Sequence, residues 1–420
     1  MNTLTLTQKS TQVVGKIEIP RSKSISNRAL IIAELAGKGT HIAELSEADD
    51  TRLLKKHLTF IRSWGASGIP TIFDVENAGT VARFLTAYLV SHVGEWLVTG
   101  CRRMKERPIG SLVEGLTKLG AKISYRGNEG FLPIHISGND INGGELNVDT
   151  TMSSQFVTAI LLIGPYLEDG LKINFSDEVV SKPYINMTVE MMKSFGAHVS
   201  LFDKYVVVEP HPYKSINYVV EADWSSAAFW YETAALSAKA NVTISGLKQH
   251  SIQGDQVLPE LFEALGVRTI FEEKGIRLES TGKIKKHVSF DFLASPDLAM
   301  PVITTCAALG IKSEFTGVGH LKYKESDRLE NLRTELEKIG ALLNVEADSC
   351  SLSFSAKRID QPIDFDTYHD HRLAMSLAPL ILRFPKIRIL DADVVGKSYP
   401  GFWTELKKLG FARLSETKTA

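Results

Sequence analysis

Apolar residues recur along the chain at helical spacing in blocks that end on glycine. A small or apolar residue and a short alternating run follow each block. The junctions are Trp64-Gly65-Ala66, Leu119-Gly120-Ala121, Phe195-Gly196-Ala197, Leu265-Gly266-Val267, Ile339-Gly340-Ala341 and Leu409-Gly410-Phe411. After a shorter first interval the glycines are spaced by roughly 70 residues. Upstream of each glycine lies a strand-like run: Thr40-His41-Ile42, Trp96-Leu97-Val98, Leu171-Lys172-Ile173, Val242-Thr243-Ile244, Lys312-Ser313-Glu314-Phe315 and Ile387-Arg388-Ile389. Apolar helices precede these runs, as at Val81 to Val90, Phe156 to Leu167, Ala227 to Leu236 and Leu373 to Leu382. Each unit therefore reads loop, helix, strand, loop, helix, glycine, strand.

Six α/β units of this length exceed the 20–50 residues typical of solenoid repeats. Two lobes of three units each would bury the strongly apolar helices better than an open array, with a cleft between the lobes. The first unit is short. The stretch from Asp50 to Asn77 cannot hold the full set of elements, and Ser67 to Thr71, with its Gly and Pro, reads as a shortened connection.

Polar residues gather where loops enter helices. Before the first helix of the units stand Ser24/Ser26/Asn27, Asn77/Gly79/Thr80, Ser153/Ser154, Ser225/Ser226, Asp297 and Asp370/His371. Many such residues are expected helix caps, and Ser225/Ser226, Asp255 and Asp49/Asp50 are read so. Capping does not account for Lys23, Arg28, Lys105, Arg107, Lys182, Lys324, Arg328, Arg372 and Lys397, because the helix dipole disfavours cations at that end. Repeated breaches of a local rule mark a functional site, and helix N-termini with Lys and Arg make a strong anion site. So many cations would overserve one phosphate, which points to two anionic groups. Ser, Gln155, Tyr184 and Asp297 suit a hydroxyl-rich ligand, and Asp297 and Glu325 could move protons.

Composition narrows the partners. A net charge of -1 gives no reason to expect nucleic acid or an acidic membrane surface. The three cysteines, Cys101, Cys306 and Cys350, are too scattered for a disulfide framework or a metal pair, and fit a reducing compartment. The N-terminus, Met1 to Thr11, is polar and lacks the apolar core of a signal peptide, so a cytoplasmic location is expected. There is no Walker A loop and no GxGxxG run, so nucleotide binding has no support.

At the junctions the chain resembles the 5-enolpyruvylshikimate-3-phosphate synthase family over essentially its full length. The matching segments are Ser22-Lys23-Ser24-Ile25-Ser26-Asn27-Arg28-Ala29, Asn77-Ala78-Gly79-Thr80, Arg103-Met104-Lys105-Glu106-Arg107-Pro108-Ile109-Gly110, Ser153-Ser154-Gln155, Ser181-Lys182-Pro183-Tyr184, Pro296-Asp297, Lys324-Glu325-Ser326-Asp327-Arg328, Asp370-His371-Arg372 and Lys397. The resemblance implies an α/β, two-lobed enolpyruvyl transferase-like fold of six βαβαββ-type repeats, three per lobe, the first shortened. One lobe would combine residues 1–21 with 223–420, and the other would be the insertion 22–222, with the active site in the cleft between them.

The resemblance also implies roles. Lys23, Ser24, Arg28, Ser153, Ser154, Gln155, Ser181, Tyr184, Asp297, His320 and Lys324 would contact shikimate 3-phosphate. Lys23, Asn77, Gly79, Arg107, Gln155, Arg328, Arg372 and Lys397 would contact phosphoenolpyruvate. Asp297, Glu325 and Lys23 would be catalytic, in an addition followed by an elimination. No metal or organic cofactor is implied, and a monomer is expected, with only these two small molecules as partners.

Three positions depart from the family pattern. Arg21 and Glu76 stand where glycine is frequent, and His320 stands where Asn is frequent, which would give that contact a pH dependence. His369 is read as structural. Cys101, close to Arg107-Pro108, is similar in place to the loop cysteine of the UDP-N-acetylglucosamine enolpyruvyl transferases. The surrounding motifs match the shikimate enzymes instead, so Cys101 is read as a plain residue at a strand end. A protein that binds these ligands without completing the reaction is the remaining alternative.

Overall fold

The computed structural model describes residues 2–8, 10–64, 70–148, 154–176, 181–355, 359, 362–384 and 386–418. The chain divides into two compact units, Met1–Ser22 with Glu221–Ala420, and Lys23–Val220.

One repeat of the Lys23–Val220 unit serves for all. The strand Thr71–Asp74 enters the helix Gly79–Val90, which returns as the strand Gly94–Thr99, parallel to the first. The helix Gly110–Lys118 follows, and then the hairpin Lys122–Tyr125 and Ile134–Gly138 adds antiparallel to the second strand. Almost every side chain of Gly79–Val90 is buried, as expected of a helix that is apolar all round. The same four-stranded plan recurs in five sheets. The sixth sheet is the shortened repeat, in which His41–Ala43 pairs only with Asn217–Val219. Among the described residues no hairpin follows its second helix, Asp49–Trp64. Residues 67–69 of the shortened connection, and Gly65, lie outside the described residues.

The helix-ending glycines take the left-handed conformation that spares them a Cβ clash: φ is +103° at Gly120, +81° at Gly196, +79° at Gly340 and +92° at Gly410. Gly266 differs. Its helix is short, Leu258–Glu263, and the glycine (φ +86°) forms a bulge inside the strand Leu265–Glu272.

Two strands are exchanged between repeats. Gln12–Glu18 precedes the helix Lys23–Ala36 in the chain but pairs in parallel with Lys239–Ser245. Asn217–Val219 precedes the helix Trp224–Leu236 but pairs with His41–Ala43. The two passages run side by side: Ser22 N donates to Glu221 O at 2.8 Å, Asp223 N donates to Pro20 O at 2.9 Å, and Arg21 bridges to Ala222. The core of the unit that holds the termini is built from the buried helices Trp224–Leu236, Ala299–Leu309 and His371–Leu377, packed beneath its three sheets.

Candidate active site

In the unit that holds the termini, five charged residues converge. Asp297 lies in the 3-10 turn Pro296–Leu298 that leads into Ala299–Leu309. Arg372 opens the helix His371–Leu377 and reaches Asp297 twice, Nη2 to Oδ2 at 2.7 Å and Nη1 to the carbonyl at 2.9 Å. Arg328, first residue of Arg328–Glu337, donates to Asp370 Oδ2 at 2.8 Å, Glu325 Oε2 at 2.8 Å and Asp297 Oδ1 at 3.4 Å. Asp370 caps its own helix by accepting from Arg372 N at 2.9 Å, and also accepts from Ser326 Oγ at 3.2 Å. Arg328 and Asp370 are fully enclosed.

The electrostatics follow from this packing. Burial opposes charge on Asp297, but Arg372, Lys324 and Arg328 together hold its carboxyl well below the usual carboxylate range. Burial likewise opposes charge on Arg328, and the surrounding Asp370, Glu325 and Asp297 carboxylates outweigh it and raise the guanidinium. His320 sits in the 3-10 turn Gly319–Tyr323. Burial, with Lys324 next, pushes it down to about 3, and its buried Nε2 has no hydrogen-bond partner. Without a ligand anion beside it, burial thus favours the neutral ring. Lys324 follows that turn directly, and Lys397 closes the 3-10 turn Ala392–Lys397.

The Lys23–Val220 unit holds two further groups. In the first, Arg28 is buried and donates from Nε to Thr188 Oγ1 at 2.8 Å, from Nη1 to Ser24 O at 2.8 Å and from Nη2 to Thr158 Oγ1 at 3.4 Å. Its guanidinium also lies over the rings of Phe84 and Tyr184, at 5.4 and 5.9 Å. Burial pushes Arg28 down to about 10, with the Tyr184 phenol acting the other way. A buried cation with neutral partners is costly unless an anion joins it. Ser154 starts the helix Ser154–Ile163 with Gln155 next, and Ser181 precedes Lys182–Ser194 in a left-handed conformation, φ +59°. Ser153 lies outside the described residues. Lys23 pairs with Asp50 at 3.0 Å.

In the second group, Arg107 Nη1 donates to Asn77 O at 3.2 Å, and its guanidinium lies against Gly79, where an added Cβ would stand 2.5 Å from Nη2. Glu76, where glycine is frequent in the family pattern, adopts φ +52° just before this loop. Cys101 is exposed and follows the strand Gly94–Thr99, whereas Cys306 is buried in the core.

These motifs sit on a chain whose relatives agree along its length. The EPSP synthase (3-phosphoshikimate 1-carboxyvinyltransferase) family model matches residues 7–406. The chain belongs to the EPSP synthase family. The 3-phosphoshikimate 1-carboxyvinyltransferase of Bacteroides fragilis (strain YCH46) is 45% identical over 404 residues, covering 95% of this chain and 96% of the relative. The Mannheimia haemolytica protein of the same name is 35% identical over 437 residues, covering 97% and 99%. The solved EPSP synthase structure from Acinetobacter baumannii covers 99% of this chain and 100% of its own, with a TM-score of 0.76 at 22% identity, a likeness of fold. As in that family, the chain folds into two α/β units of three repeats each.

Several residues that bear on the site escape a reading of the EPSP synthase motifs alone. Asp370 lies in a quoted motif but was given no role there, and it is the buried hub between Arg328 and Arg372. Thr158 and Thr188 complete the Arg28 pocket. Arg83 donates to Gly79 O at 3.3 Å and Pro108 O at 2.6 Å, tying together the loops on both sides of Arg107. The one signal for Arg83 is a charge inside the apolar run Val81 to Val90.

Three expected caps are corrected. Asp223 caps Trp224–Leu236, accepting from Ser226 N at 3.1 Å, while Ser225 donates to Asp255. Asp255 lies within the 3-10 turn Gly254–Val257, and Asp49 and Asp50 fall in the first turn of Asp49–Trp64 rather than before it, with Asp50 also paired to Lys23. Among the described residues no group of three or more His, Cys, Asp or Glu could hold a metal, and no helix is long and apolar enough to cross a membrane.

Proposed function

We propose that this chain transfers the enolpyruvyl group of phosphoenolpyruvate to the 5-hydroxyl of shikimate 3-phosphate and releases phosphate. The observation that carries the reading is the Arg328–Arg372–Asp297–Glu325 cluster, set in a chain that matches the EPSP synthase family from residue 7 to 406.

In the proposed step the 5-hydroxyl oxygen attacks C2 of phosphoenolpyruvate while C3 gains a proton. The tetrahedral adduct then expels phosphate and returns a proton from C3. Arg328, Arg372, Arg107 and Lys397 bind the carboxylate and phosphate of phosphoenolpyruvate, with Asn77 and Gly79 offering close backbone approach. Arg28, Ser24, Ser153, Ser154, Gln155, Ser181, Tyr184, His320 and Lys324 hold shikimate 3-phosphate, and Lys23 and Gln155 serve both ligands. Asp297 orients and deprotonates the hydroxyl. Arg372, Lys324 and Arg328 weaken it as a base, and a ligand carboxylate that draws Arg372 and Arg328 away strengthens it. Glu325 exchanges the C3 proton, and Lys23 shares the proton work.

We further propose a cytoplasmic monomer that needs no metal or organic cofactor and takes these two small molecules as its only partners. Phosphate release from purified protein tests the reading. Release with phosphoenolpyruvate and shikimate 3-phosphate is expected. Release only with UDP-N-acetylglucosamine, or with neither acceptor, would overturn it.

A further inference from the structure

Non-glycine residues with left-handed backbones are few among the described residues, and two of them are consecutive: Tyr368 at φ +49° and His369 at φ +56°. Each costs on the order of 1–3 kcal/mol and persists only where its surroundings over-determine it. The turn ends at Asp370, whose N donates to Thr367 O at 2.8 Å, and two residues later stands Arg372. The strain is thus spent directly before the residues that organise the arginine cluster.

The restraint on this turn comes from Glu335. Its side chain is fully buried. Oε1 accepts from the Tyr368 hydroxyl at 2.9 Å, and Oε2 accepts from Asp366 N at 3.0 Å and from Lys338 Nζ at 2.6 Å. The Lys338 ammonium in turn donates to Asp364 O at 2.8 Å. Glu335 stands seven residues after Arg328 on the helix Arg328–Glu337, two turns along on the same face. That face therefore grips the segment 364–372 at two levels: Arg328 holds Asp370, and Glu335 holds Asp366 and Tyr368. A second clasp lies outside, where His369 Nδ1 meets Asp391 Oδ2 at 2.6 Å, Asp391 itself being left-handed at φ +53°.

We propose that Glu335 and Tyr368 are positioning residues for the phosphoenolpyruvate side of the site. They hold the turn in its strained form and thereby set where Asp370 and Arg372 stand. The identity of that ligand rests on the function proposed above. Their hydrogen bonds run to the turn, and their effect reaches the ligand through it.

The test compares wild type with Tyr368→Phe, Glu335→Gln and Glu335→Ala. Tyr368→Phe keeps the ring and removes the hydroxyl. Glu335→Gln keeps one acceptor oxygen for Asp366 N, and its amide NH2 can donate to the Tyr368 hydroxyl oxygen in place of the bond it received. Tyr368→Phe and Glu335→Ala are expected to raise KM for phosphoenolpyruvate roughly 10-fold, with KM for shikimate 3-phosphate nearly unchanged, and Glu335→Gln to stay close to wild type. Amide hydrogen exchange at Asp370 and Arg372, read on the same proteins without turnover, is expected to speed up in Tyr368→Phe. Unchanged exchange at those amides, or an equal rise in both KM values, overturns the proposal. If wild type releases no phosphate, the proposed function fails, and the exchange measurement alone decides whether Glu335 and Tyr368 hold the turn.

Discussion

Arg372 grips Asp297 by both ends, its carboxylate at 2.7 Å and its carbonyl at 2.9 Å. The side-chain contact neutralises the carboxylate, and the carbonyl contact fixes the turn that carries it. Removing the carboxylate leaves a buried guanidinium half satisfied and deletes the proposed base. Asp297→Ala is expected to lower kcat by roughly 10²-fold or more while shikimate 3-phosphate still binds. Steady-state rates with a direct binding titration check this, and near-normal turnover would remove Asp297 from the mechanism.

The same pair predicts an acid limit to stability. Because the folded carboxyl of Asp297 is held below its unfolded value of about 3.9, its contribution is present above that pH and is lost as pH falls below it. Melting temperatures of wild type and Asp297→Asn should therefore converge as the pH drops below about 4. A gap that stays constant through that range would contradict the assignment.

Gly79 leaves room for Arg107 and for nothing larger. An alanine Cβ would press on the guanidinium, which sits at the end of a flexible side chain and would move. Gly79→Ala is expected to raise KM for phosphoenolpyruvate by about 10-fold or more, with little loss of thermal stability. Equal affinity in the two proteins would place Arg107 outside the phosphoenolpyruvate contacts.

Glu232, in the middle of Trp224–Leu236, is fully buried with neither carboxyl oxygen hydrogen-bonded, and burial raises its carboxyl well above the ordinary value. A carboxyl raised on folding favours the folded state fully below its unfolded value of about 4.3, and this is lost as pH rises above it. Glu232→Gln, which cannot ionise, should match wild type near pH 4 and gain on it above, by up to about 1.4 kcal/mol per pH unit. Denaturant titrations at pH 4 and pH 7 measure the difference. No gain at pH 7 would mean that the acid finds a partner on ionising.

Cys101 is exposed just after its strand. Cys101→Ala should keep kcat within about twofold of wild type, since no nucleophile is removed. A loss of several orders of magnitude would revive the UDP-sugar alternative.

The repeats were readable because helices end on left-handed glycines at Gly120, Gly196, Gly340 and Gly410, and because buried helices such as Gly79–Val90 are mostly apolar all round. The cations were readable because they break the dipole rule. What stayed hidden are partners far apart in sequence. Arg28 meets Thr158 and Thr188 from other helices, and no local pattern announces a 130- or 160-residue pairing. The caps were misread where Ser225 and Ser226 lie in the first turn of the helix, behind an equally good cap in Asp223. The turn at Tyr368 and His369 left no trace because Tyr does not favour that backbone and a single His, though enriched there, does not mark a turn.

The first strand, Asn2–Gln8, is flanked in its sheet by Lys386–Ile389 and Phe411–Lys418. During synthesis it therefore emerges well before either neighbour. At about 5–20 residues per second it waits roughly 20 s or longer with both edges open. The Lys23–Val220 unit, whose strands all pair among themselves, can close in that interval. Segments 2–8 and 386–418 thus act as a latch that completes this unit only after the residues between them have been made.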